Sequence, residues 1–150
     1  MEQRSNKVKA PSKDVSFLKK ARKHLFTIFI MLPGILFLFL GFQWLVAPED
    51  AAAALMMPLL NGAGLNSQIG DIGGLFLGMG LLVMGAVTTK KSDLLLSVSV
   101  LLSCIATYRL ISFALCDATL IVQMFVVETV IAIWYLVASK KMNEREQKNA

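Results

Sequence analysis

LLLSVSVLLSCIATYRLISFALCDATLIVQMFVVETVIAIWYLVA, residues 94–138, is the stretch that decides the fold. It holds three charges, Arg109, Asp117 and Glu128, and divides at Cys116-Asp117 into two apolar runs, 94–115 and 118–138. A helix needs ~20 mostly apolar residues to cross the hydrocarbon layer of a bilayer, and both runs reach that length. So short a connection makes them antiparallel neighbours. Toward the N-terminus, residues 25–46 form a third run without a charge, interrupted by Thr27, Pro33-Gly34, Gly41 and Gln43, and residues 69–87 form a fourth with only Asp71. Backbone groups in lipid find no water to bond, so such runs are helical. The fold class is all-α: an integral membrane four-helix bundle over 25–138, with spans at 25–46, 69–87, 94–115 and 118–138. A basic arm, 1–24, precedes it and a charged tail, 139–150, comes after.

Composition agrees. Of 150 residues 56% are hydrophobic and 17% charged, yet the net charge is +5. A soluble globular domain, a disordered chain and a disulfide-rich secreted module are excluded by that balance and by where the charges gather. Eight of the 15 Lys+Arg lie in the arm, two are Lys90 and Lys91, and four are Lys140, Lys141, Arg145 and Lys148. All 14 fall on one side of the spans, against none on the other, and Arg109 lies within a span. Positive residues stay cytoplasmic, so both termini are expected in the cytoplasm, with the protein in a bacterial cytoplasmic (inner) membrane. The basic balance is then a topology signal, not one for nucleic acid.

The first span could instead be a signal peptide followed by Ala51-Ala52-Ala53, but its apolar run is longer than an ordinary signal core. In the arm, Val15, Leu18, Ala21 and Leu25 recur at helical spacing among lysines, which suits an interfacial helix on anionic lipid or a plain positive stop. The outer loop, 47–68, reads as a short apolar helix over 51–60 broken at Pro58, then a turn at Asn61-Gly62-Ala63-Gly64. Cys104 and Cys116 lie ~18 Å apart along one helix, too far for a disulfide; Cys104 is expected buried and Cys116 near the outer interface. Trp44 and Trp134-Tyr135 suit interfacial aromatic belts. With His24 as the lone histidine, no metal site or haem ligand set is available, and no phosphate loop, nucleophile elbow or cofactor motif occurs.

Ionisable groups within spans are expensive and point to sites. Counted from the outer helix ends, Arg109 is ~10 Å deep and Glu128 ~16 Å deep on adjacent helices, a difference an arginine can bridge. Arg109 shares its face with Leu102, Ile105 and Ser112; Glu128 shares its own with Ile121, Met124 and Tyr135. Asp71 shares a face with Gly74 and Gly78, and Gly70-Gly74-Gly78 repeats at four-residue steps that suit close helix packing. The arrangement expected is Arg109 bridging Glu128 and Asp71 in a buried cluster. It could fix helix register, floor a ligand pocket, or relay protons.

Four short motifs carry a resemblance. The first span ends Trp44-Leu45-Val46-Ala47-Pro48 and the second begins Gly70-Asp71-Ile72-Gly73-Gly74-Leu75-Phe76. The third holds Tyr108-Arg109-Leu110, and the fourth Val127-Glu128-Thr129. Together these resemble a family of small bacterial four-span membrane proteins catalogued as a domain of unknown function, over about residues 25–138. Ile72-Gly73 departs from the Asp-Arg-Gly-like step common there. The resemblance implies that Asp71, Arg109 and Glu128 act as one constellation, and it brings no substrate. The leading expectation is a protein that binds a lipid-like molecule, or a membrane-protein partner or second copy of itself, among membrane lipids. The alternatives are a membrane-embedded acid–base enzyme, with Glu128 or Asp71 as proton donor and Arg109 as orienter, and a small proton-coupled transporter.

Overall fold

The computed structural model describes residues 13–147. Among these, regular structure is all helical: α1 (Lys13–Val46), α2 (Pro48–Ala54), α3 (Ala63–Ser67), a π-helical turn (Gln68–Gly73), α4 (Gly74–Thr89), α5 (Ser92–Leu115) and α6 (Val122–Gln147). Four helices are long and apolar enough to cross a membrane: His24–Val46, Ala63–Thr89, Ser92–Leu115 and Val122–Arg145. All four expected spans are present. Their edges differ where polar residues continue a helix past the apolar run. Thus α1 extends back to Lys13, α6 runs on to Gln147 through charged residues, and the second span begins at Ala63. The fourth span opens only at Val122, four residues later than the expected 118, because 118–121 belong to the connection. Residues 1–12 of the arm and 148–150 of the tail lie outside the described residues, as do the side chains of Val15 and Leu18 on the arm's apolar face, whose Ala21 and Leu25 are exposed.

Two antiparallel pairs make the bundle, α1 with α4 and α5 with α6, joined through α4 and α5. The α1–α4 seam is built on glycines seven residues apart on both helices. A Cβ on Gly41 would lie 2.7 Å from the Leu77 backbone nitrogen, and one on Gly80 would lie 2.9 Å from that of Leu38. Gly34 and Gly73 likewise receive Val83 and Trp44. Apolar side chains gain nothing from leaving lipid for protein, so close approach over small residues supplies the attraction. The expected Gly70-Gly74-Gly78 stripe is not this seam. Nothing lies within 4 Å of a Cβ on any of the three. Gly73 and Gly80 take their place, a seven-residue spacing that keeps one seam facing its partner, as in coiled coils.

The second pair is tied by a hydrogen bond from Ser99 Oγ to the Ala132 carbonyl, 2.7 Å, in the buried interior. Between the pairs, α1 and α6 touch at the end that carries the chain termini. Pro33 has no N–H to give the Phe29 carbonyl four residues earlier, and the Trp134 indole Nε1 donates to that carbonyl at 3.3 Å. Tyr135 Oη donates to the next one, Ile30, at 3.2 Å. Phe26 meets the Trp134 ring edge-on and carries Lys141 and Arg145, each 5.0 Å from its centroid. Trp134-Tyr135 is therefore a clasp between helices, with Tyr135 fully buried. Trp44 is buried as well, under α2. Trp44 is thus enclosed by the protein, whereas Trp134 stays partly exposed.

Beyond the clasp, α1 and α6 part, and the far end is roofed by the α1–α3 connection. Pro48 opens α2, whose Ala51 and Ala52 pack on Trp44. The helix ends at Ala54, short of the Pro58 break expected for it. Met56 then turns the chain with φ 55°. Gln68, buried in the π-helical turn, holds the returning loop: its Nε2 donates to the Pro58 carbonyl at 3.0 Å, and its Oε1 accepts from the Leu60 N–H at 2.9 Å.

Candidate functional site

Under this roof lies a cavity of about 430 Å³. All four spans contribute to it, through residues such as Phe37, Phe76, Met79, Ile105, Met124 and Ile131, and Leu55–Met57 form the roof. Leu36 on α1 and Val127 on α6 line it while remaining exposed, as do Met56 in the roof and Gln123 on α6, which leaves it open between these two helices and toward the roof. A seam of glycines draws α1 against α4, and the clasp holds α1 to α6 only below the cavity. The gap between α1 and α6 above the clasp results from both.

One charged pair stands in the apolar wall. Arg109 Nε donates to Glu128 Oε2 at 2.8 Å and Arg109 Nη2 to Oε1 at 2.8 Å, a bidentate ion pair across α5 and α6. Side chains lean toward the N-terminus of their helix. On antiparallel helices that lean carries Arg109 down toward Glu128 and Glu128 up toward Arg109, closing the axial offset read from the sequence. The two side chains are 30% and 18% exposed and both line the cavity. Leu102, Ile105 and Arg109 line it together, as their shared face requires.

The third expected member is elsewhere. Asp71 is exposed and makes no ion pair with Arg109 among the described residues. Gly73 faces Trp44, so Asp71, two residues further out on an antiparallel helix, stands level with Val46, where α1 ends. A carboxylate at that level reaches the polar membrane surface and needs no buried partner. Its neighbour Ile72 is the one that turns into the cavity. The buried Asp/Arg/Glu cluster is thus corrected to a half-buried Arg109–Glu128 pair.

Gln123 completes the polar lining. It is exposed on the first turn of α6, borders the cavity, and its amide makes no hydrogen bond within the described residues. A lone uncharged glutamine near a helix start gave no periodic or charge signal, and only the fold brings it to the mouth. Both cysteines are free and exposed. Cys104, expected to be buried, instead lies on a shallow outer groove with Tyr108. Among the described residues no three His, Cys, Asp or Glu side chains gather as metal ligands would.

Four apolar spans of the bundle type define a small integral membrane protein. Within that class, the chain belongs to the family described as domain of unknown function DUF4345, whose model matches residues 25–139. No curated protein and no solved structure matches it.

Proposed function

We propose that this protein binds a lipid-like molecule in the cavity between α1 and α6, in a bacterial cytoplasmic membrane with both termini in the cytoplasm. One observation carries the binding reading: an apolar cavity of ligand size that opens sideways between two spans and holds a charged pair in its wall. A molecule dissolved in the bilayer reaches such a mouth without crossing water. Its chain lies against apolar walls, and its polar end meets the polar groups of the lining. The 14-to-0 division of Lys and Arg supports the orientation.

The acid–base and proton-relay readings draw less support. Both Glu128 oxygens accept from Arg109, so neither is directed at a substrate, and Asp71 lies outside the cavity.

Native mass spectrometry of protein extracted in a mild detergent tests the proposal. Retention of a lipid-sized mass is expected, with weaker retention in Met124→Trp, which pushes a larger side chain into the cavity. Equal retention by a folded Met124→Trp protein, or a bound protein subunit in place of a lipid, would count against it.

A further inference from the structure

Resting on that binding reading, we infer that the cavity selects amphiphiles with an uncharged carbonyl head, such as an ester or ketone, over those with an ionised head. Charge and free donors decide between the two. The charged lining consists of Arg109 and Glu128, which sum to zero and already satisfy each other in two parallel hydrogen bonds. Arg109 retains Nη1, which has no acceptor among the described residues, and the Gln123 amide is equally free at the mouth. Donors without a surplus positive charge suit a neutral oxygen. A carbonyl accepts from them and gives up little hydration on entering. An ionised carboxylate would bring a third charge beside a pair that is already neutral. It would lose its own hydration with no counter-ion to replace it, and desolvating an unpaired charge is far costlier than desolvating a hydrogen-bonded dipole.

The roof adds direction. Leu55–Met57 lie over the far end, and Phe37, Met79 and Ile131 line the cavity with apolar side chains. The head therefore lies at the α5–α6 wall beside Arg109, and the chain runs over the α1 and α4 faces toward the mouth.

The test uses the full chain in detergent, titrated at ~pH 9, above the ordinary carboxyl range, with hexadecanoate and separately with its methyl ester. Bound mass is read by native mass spectrometry. The ester is expected to bind about tenfold tighter or more, since a charge left without a partner costs at least that. In Glu128→Gln, which keeps an acceptor for Arg109 but removes the negative charge, the order should reverse. In Gln123→Leu the ester alone should weaken several-fold. Tighter binding of hexadecanoate by the unaltered protein overturns the inference and leaves lipid binding standing. Failure to bind either probe removes both. The comparison in the unaltered protein decides the matter whether or not the variants fold.

Discussion

Arg109 is the one positive charge kept within the membrane, and its partner explains why it is tolerated. Removing either member of a buried ion pair typically costs ~3–5 kcal/mol, because the other charge is left unpaired. Here both members are part-exposed to the cavity, so a smaller loss is expected. Arg109→Ala and Glu128→Ala should each lower the yield and melting temperature of extracted protein. Arg109→Met with Glu128→Met should restore stability, yet not the retained lipid. Restoration of both would make the pair purely structural. These two residues were legible in the sequence because charge in a span is rare and their depths could be counted. Asp71 was misplaced because a span's edge was set by hydropathy, whereas the helix begins six residues earlier, at Ala63. Gln123 and Gln68 went unmarked because an amide carries no charge to single it out.

Among the helices, which glycines matter depends on phase. The four-residue stripe Gly70-Gly74-Gly78 was the more visible pattern, and the π-helical turn at Gln68–Gly73 overlaps its start, adding a residue to the turn and rotating the helix beyond it. Seven-residue spacing shared by Gly34-Gly41 and Gly73-Gly80 is legible only once both helices are set side by side. Gly41→Ala puts a Cβ against backbone and should destabilise by ~1–3 kcal/mol, as overpacking does. Gly74→Ala meets open space and should be neutral or gain up to ~1 kcal/mol from helix propensity. Thermal denaturation in detergent compares the two, and equal effects would contradict the seam. The clasp has its own test. Trp134→Phe leaves the Phe29 carbonyl without a donor, a loss of ~1 kcal/mol. Adding Pro33→Ala restores an N–H to that carbonyl and should recover part of the stability. A further loss in the double variant would deny that the indole compensates for the proline.

For the whole molecule, the number of spans and the common side of the two termini were legible from run lengths and short connections, since lipid permits few alternatives. The cavity was not, because it arises from unequal pairing: α1 is drawn to α4 by glycines and to α6 only at one end. Periodicity within a helix does not report which neighbour wins. The proposed orientation rests on charge, so a reporter that is active only in the cytoplasm should be active when fused after Ala150. Replacing the Lys and Arg of the arm, Lys90-Lys91 and the tail by Gln should weaken that bias, and an unaltered single orientation would assign topology to something other than charge.

All of this converges on the space between α1 and α6, which we propose is occupied by a lipid-like molecule whose head lies at Arg109. An experimentally determined structure of the protein in lipid nanodiscs puts that proposal to the plainest test. Elongated density is expected to enter between Leu36 and Val127, pass beneath Leu55–Met57 and end within hydrogen-bond distance of Arg109 Nη1. Side chains of α1 and α6 packed together above the Trp134–Tyr135 clasp, with no space between them, would contradict it.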